Sequence, residues 1–420
     1  MNNRVCIYNV YILILLSLFL CNLDAYGSSA ALRNDEIKNA YVKGDYKSAV
    51  TLLEQDIARS KESASKEKRP IFFGLYRKQI ILAYIHAWKL HDPDTALKKF
   101  REASEFRLSS TKADKLPPFE LLYIAEIYES KNDLAKAKKY YISLLNEMVA
   151  LQEREHDDVS MMFTGDIINL IKYKIDGINL KDPSTKDDLL LKRIKLSSGP
   201  PPQIATLFAS LVAAVAQLDH EAAQEQGMTS YIKQSPANLS AMILNYALVL
   251  TSAAGSVDED DEKALNAFLS KYPDSYYSIF LRYYFYKFYK ENGMPEKGKG
   301  LLKEIQNIAE KRGMVIITGP DKRFSSPEKT WEVYRNALSE GDVDTVMECY
   351  VSGIYKERRI FNFLTKDQLK QMAEDMGNIE RITGNEHRAE YRIMQKYKDK
   401  EVAFHINFAN IDGEWRMYEF

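Results

Sequence analysis

From Leu121 to Leu144 the apolar positions fall on two helical stripes separated by a polar break. Leu121, Ile124, Ala125 and Tyr128 recur at helical spacing, and beyond Lys131, Asn132 and Asp133 a second stripe of Ala137, Tyr141 and Leu144 faces the first. The pattern predicts two short helices joined by a tight turn, with small and aromatic residues where they interlock. It recurs along the chain. Gly44-Asp45 precedes Ala49 and Leu53, His91-Asp92 precedes Ala96, Phe100 and Ala103, and Asn292-Gly293 precedes Leu302 and Ile305. Between residues 30 and 312 the periodicity predicts about six such hairpins.

The array is irregular. The run Ser60–Arg69 is polar throughout and is expected as a solvated loop. Residues 157–196 have a helical pattern without the hairpin signature. Ser197-Ser198-Gly199 followed by Pro200, Pro201 and Pro202 breaks the chain, because proline cannot continue a helix. The expected organisation is therefore residues 28–196 as a first helical half, 197–202 as a joint, and 203–312 as a second half that opens with hairpin residues from Leu218 to Pro236. A linker at 313–325 follows.

Past residue 325 the grammar changes. Ser325, Ser326, Pro327 and Glu328 read as a helix start, with Ser325 as cap and Glu328 three residues on. Helices are expected at 327–339, 343–350 and about 366–376. Val402, Phe404, Ile406 and Phe408 then alternate with Ala403, His405 and Asn407, as a strand with one covered face would require. Asp412-Gly413 marks a tight turn into the last strand, which carries Trp415. Helices followed by a meander give an α+β order for 326–420.

The helical hairpins resemble the tetratricopeptide repeat, although the spacing of Ala49, Ala96 and Ala137 exceeds that family's repeat of about 34 residues. The C-terminal stretch resembles the nuclear-transport-factor-like, or SnoaL-like, cone-shaped domain through its Gly341-Asp342 turn and Trp-bearing final strand. The expected fold class is thus mainly α: an α-solenoid of tetratricopeptide-like hairpins followed by a small α+β cone-like domain with a curved antiparallel sheet. The first resemblance implies partner binding on a concave groove. It places Phe280, Tyr283 and Lys287 there, with Phe119, Leu122, Glu126 and Glu129 on the third hairpin and Ile81, Ile85 and Trp88 on the second. The stretch Tyr276–Tyr289 holds nine aromatics in fourteen residues, more than one buried stripe needs. They line either that groove or an internal packing face. The lysine–asparagine clamp some relatives use for chain termini is not reproduced, since Asn34 and Lys38 stand in swapped order. The second resemblance implies a small pocket, for which His405, Tyr418 and Trp415 are the possible residues, with isomerase- or dehydratase-like chemistry as the alternative function.

Charge narrows the partner. With 58 Lys and Arg against 59 Asp and Glu there is no basic excess, which disfavours general nucleic-acid binding. No strong catalytic motif, cofactor loop or metal-ligand cluster is present, so a non-enzymatic scaffold or adaptor for a protein or peptide is expected, without cofactor. Arg4, the apolar run Ile12–Leu20 and the small residues Ala25 and Gly27 read as a signal peptide at 1–27, cleaved after Gly27. Export to the periplasm or cell envelope follows. Membrane association arises only if Cys21 is lipidated or the signal stays uncleaved. Cys349 is then the one cysteine outside the signal; it cannot form an internal disulfide and is expected as a buried small hydrophobe.

Overall fold

The computed structural model describes residues 35–67, 72–109, 118–154, 158–181, 189–196, 227–253, 257–351, 360–361, 363–397 and 400–419. The expected signal peptide with Cys21, Asn34, the expected joint at 197–202 and the expected hairpin start at Leu218 lie outside these residues. The chain is mainly helical, with a four-stranded antiparallel sheet near its C-terminal end. It divides into two compact units. The first takes the described parts of Met1–Leu151, Phe163–Lys192 and Pro200–Val315, and the second those of Gln152–Met162, Arg193–Gly199 and Ile316–Phe420.

In the first unit, α1 (Asp35–Val42), α2 (Tyr46–Glu67), α3 (Phe72–Tyr84), α4 (Pro93–Leu108), α5 (Phe119–Ser130) and α6 (Leu134–Arg154) are followed by α7 (Asp158–Lys181). After the next undescribed stretch come α8 (Met228–Gln234), α9 (Leu239–Ser252), α10 (Glu259–Lys271), α11 (Tyr276–Glu291) and α12 (Pro295–Arg312). Four interhelical turns share one geometry. Gly44, His91, Asn132 and Gly293 each adopt a left-handed φ, of 78°, 55°, 57° and 76°. That conformation lets the next backbone N–H reach back over the helix end: Asp45 N donates to Ala40 O at 2.9 Å, Asp133 N to Tyr128 O at 2.9 Å and Met294 N to Tyr289 O at 2.8 Å. The second turn is one residue longer, because α3 ends in a π-helical turn, Ile85–Lys89, and Asp92 N reaches His86 O instead. In three turns the residue after the left-handed one is an aspartate that caps the following helix: Asp45 accepts from Ser48 N, Asp92 from Thr95 N and Asp133 from Lys136 N.

Five positions after each left-handed residue stands a buried small one: Ala49, Ala96, Ala137 and Gly298. There the two helices of a hairpin approach closely. A Cβ added at Gly298 would lie 3.1 Å from both the ring and the carbonyl oxygen of Tyr286, whereas one at Gly300 would meet nothing. The two glycines of this pair therefore do different jobs.

Two expectations fail here. Ser60–Glu67 is not a loop but the last two turns of α2, and Ser60 Oγ accepts from Lys78 Nζ at 3.0 Å. The expected helical stretch 157–196 stops at Lys181, and Arg193–Lys195 is a strand (β1) paired with Val315–Ile317 (β2). Both pieces are too short to show a period.

The second unit has its own core. A 3₁₀ turn at Lys322–Phe324 precedes α13 (Pro327–Glu340), α14 (Val343–Glu348) and α15 (Lys366–Asp375). The sheet follows as a meander, β3 (Glu380–Gly384), β4 (Arg388–Tyr397), β5 (Lys400–Ile411) and β6 (Glu414–Glu419), in that spatial order. Ser326, not Ser325, caps α13: Ser326 is extended and accepts from Lys329 N, while Ser325 has helical angles and donates its hydroxyl to Lys322 O to close the preceding turn. Asp412 and Gly413 both have positive φ, 53° and 88°, which a two-residue hairpin joining twisted strands requires. Trp331, Tyr334, Leu338, Tyr391, Ile406, Phe408 and Met417 build the core, together with Cys349, which is fully buried. The outer edge of β6 is closed by the chain itself, with Val351 N donating to Met417 O and Met417 N to Cys349 O, both at 2.8 Å.

Candidate functional site

On the third hairpin the residues expected in a groove are covered. Leu122 is 1 % exposed and Glu126 6 %. Glu126 accepts a hydrogen bond from Leu239 N, the first residue of α9, so a later helix of the same unit sits on this position. Burial is the main force on its carboxyl group. With Glu129 adding to it, and Lys174 and the Leu239 N–H opposing, the pKa is pushed up to about 8. Among the described residues its Oε2 has no hydrogen-bond partner. Glu129, half-buried, differs. Burial works against its charge too, but Lys174 Nζ at 3.1 Å and the Tyr141 hydroxyl at 2.9 Å hold its pKa below the usual glutamate value. Two carboxyl groups a turn apart on one helix are thus shifted in opposite directions, Glu126 upward by burial and Glu129 downward by Lys174 and Tyr141.

Trp88 is half-buried in an aromatic group, with ring centroids 5.0 Å from Tyr84 and 5.3 Å from Tyr123, which itself stacks on Phe100 at 5.2 Å. On α11, Phe280 and Tyr283 are 7 % and 9 % exposed, and Lys287 is half-buried beside Glu291 at 3.6 Å. The aromatic run is partitioned around the helix. Tyr277 stacks on Tyr246 of α9 at 4.7 Å, Tyr276 meets Tyr173 of α7 edge-on at 5.6 Å, and Tyr286 lies against Gly298 of α12. Three neighbours on three sides account for aromatics on more than one face. Of the ten groove residues expected from sequence, Phe280, Tyr283, Phe119, Leu122, Glu126, Ile81 and Ile85 are thus buried, while Trp88, Glu129 and Lys287 keep partial exposure.

In the second unit the pleat decides orientation. Ala389, Tyr391 and Ile393 of β4 face the helices, and opposite them stand Phe408, Ile406 and Phe404. His405 pairs with Arg392 across the ladder and so points to the other face, where its Nδ1 lies 2.7 Å from Glu390 Oε1 in the open. Tyr418 is on that same face, with the Arg388 guanidinium 5.8 Å over its ring. Trp415 packs at the edge of the core, and its carbonyl oxygen accepts from Thr330 Oγ1 at 2.7 Å. The sheet therefore separates His405 and Tyr418 from Trp415. The three possible pocket residues do not converge.

What sequence reading missed is an open cleft of about 480 Å³ between α4 and the turn from α5 to α6. Two ion pairs form its rim: Lys131 Nζ with Asp94 at 2.6 Å, and Lys136 Nζ with Asp133 at 2.7 Å. Leu97 is buried beneath. Inside, Arg101 donates through one guanidinium nitrogen to the Tyr128 hydroxyl at 3.2 Å, and Lys98 lines the same wall one turn earlier. Tyr128 is fixed from its ring side, stacked on Tyr140 at 5.6 Å with Lys136 over it. Sequence offered one faint signal, the i,i+3 spacing of Lys98 and Arg101 on a helix. Tyr128, its partner, belongs by spacing to the apolar stripe of α5 and carries no separate signal.

No protein-family model, curated protein or solved structure matches this chain.

Proposed function

We propose that the chain is an exported, non-enzymatic scaffold that holds a protein or peptide partner on its helical hairpins, in the manner of tetratricopeptide-repeat proteins. The second unit is then a small cone-like domain appended to the scaffold, and the setting is assembly of a cell-envelope complex. The observation that carries this reading is the repeated turn: a left-handed residue, an aspartate cap in three of four cases, and a buried small residue five positions on. Repeated hairpins that close their own cores and leave polar clefts between turns are suited to presenting surface. The catalytic alternative in the second unit draws little support, since His405 and Tyr418 stand on the sheet face away from the core. Export rests on the Arg4, Ile12–Leu20 and Gly27 pattern alone.

Two measurements test the proposal. N-terminal sequencing of the chain from an envelope fraction is expected to begin at Ser28; a chain beginning at Cys21 would indicate lipidation, and an unprocessed chain in the cytoplasm would refute export. Affinity purification from native envelopes is expected to return one partner in defined stoichiometry, retained at moderate salt. Recovery of none would refute the scaffold role.

A further inference from the structure

We propose that the cleft beside the α5–α6 turn is a carboxylate-binding site that takes an acidic side chain of an extended peptide, with Arg101, Lys98 and the Tyr128 hydroxyl as the groups that bind it. The inference rests on the scaffold reading and names the chemistry of the partner.

The four cations of the cleft are not equivalent. Lys131 and Lys136 are each held by an aspartate, and those pairs are the rim. Among the described residues no carboxylate is paired with Lys98 or Arg101. The wall of the cleft thus presents two exposed positive charges without a carboxylate partner among the described residues, beside the buried Leu97.

The geometry is also prepared. A tyrosine hydroxyl accepts and donates, and Tyr128 uses its acceptor on Arg101, so its proton is left to give. The ring cannot swing away, because Tyr140 stacks on it. The guanidinium, fixed at one nitrogen, offers its remaining N–H groups in a planar fork that matches a carboxylate. Three donors on rigid helices therefore face one small volume.

The rim adds acceptors: the carboxylate oxygens of Asp94 and Asp133 line the cleft and can accept from the backbone N–H groups of an extended chain. The volume lies in the range of about 300–1,000 Å³ that binding clefts occupy. A single carboxylate on an extended peptide satisfies interior and rim together.

The test uses the full mature chain and three synthetic octapeptides of alternating glycine and a second residue: glutamate with blocked ends, glutamine with blocked ends, and glutamine with a free C-terminus. Binding is followed by ¹⁵N chemical shifts and by isothermal titration at two salt concentrations. The glutamate peptide is expected to bind a few-fold more tightly than blocked glutamine, about the ratio that an exposed charge pair supplies, and the preference should shrink at the higher salt concentration. Arg101→Gln is expected to remove that preference, Arg101→Lys to restore part of it, and Tyr128→Phe to weaken it by a few-fold, about one hydrogen bond. Comparable binding by the free-terminus glutamine peptide would replace the side-chain carboxylate with a chain end and overturn that part of the proposal. Equal affinities for blocked glutamate and glutamine peptides would overturn all of it. So would an Arg101→Gln chain that loses thermal stability yet keeps the preference, because Arg101 would then be structural. Either result leaves the scaffold reading standing if a native partner is still recovered from envelopes.

Discussion

Replacing Glu126 with glutamine is expected to stabilise the protein at neutral pH. The carboxyl group is buried, accepts one hydrogen bond from Leu239 N, and has no partner for Oε2 among the described residues. Its folded pKa is about 8 against an ordinary value of 4.5. In the unfolded chain the group ionises above 4.5, whereas in the fold it stays protonated until near 8. The unfolded state therefore binds fewer protons throughout that window, and stability falls as pH rises across it. Each pH unit costs about 1.4 kcal/mol, so the loss reaches about 3 kcal/mol at pH 7 and about 4 kcal/mol at pH 8, where the folded group is itself half ionised. Glutamine keeps an acceptor for Leu239 N and cannot ionise. Glu126→Gln and the parent chain should melt together at pH 4.5 and diverge as pH rises, the variant being the more stable, with the gap levelling off above pH 8. Thermal unfolding of both chains from pH 4.5 to 9 measures this, and taking the difference removes every other titrating group. A variant less stable than the parent at pH 7, with a constant gap across pH, would show that Glu126 is ionised and well solvated in the fold.

Other substitutions probe the packing. Arg107→Met strands Glu120, which is fully buried and otherwise bonded to the Tyr76 hydroxyl, and should cost about 3–5 kcal/mol by urea unfolding; adding Glu120→Gln should recover much of it, and no recovery would refute the pairing argument. Gly298→Ala pushes a Cβ against Tyr286 and should destabilise by about 1–3 kcal/mol, while Gly300→Ala, open on all sides in a helix, should stabilise by about 0.5–1 kcal/mol. Equal effects would contradict the close approach assigned to Gly298. Burial raises the pKa of the Cys349 thiol, so it should ignore a disulfide reagent until the chain is denatured; rapid native reaction would contradict the core position.

The hairpin turns at Gly44 and Asn132 were legible because glycine or asparagine before an aspartate states both a left-handed residue and a cap. Asp92 and Ala96 marked the turn at His91 as well, but the π turn that lengthens it by one residue was not legible. The long strand β5 was legible through alternation. β3 was not: all five of its residues are exposed, so no apolar period exists to read. The groove residues illustrate a different limit. Sequence spacing put Leu122 and Glu126 on one face of α5, but only the fold shows that α9 covers that face with Leu239. The cleft that stays open draws Arg101 and Tyr128 together from separate hairpins, a juxtaposition no local pattern announces.

The central claim is that a partner docks on the hairpins at the cleft of Lys98, Arg101 and Tyr128. Photocrosslinking in native envelopes from position 131, on the rim, against position 303, exposed on α12, tests it most directly. The account predicts a discrete adduct from 131 that disappears when Arg101→Glu is introduced, and none from 303. An adduct from 131 that survives the charge reversal, or no adduct from 131 at all, would contradict it.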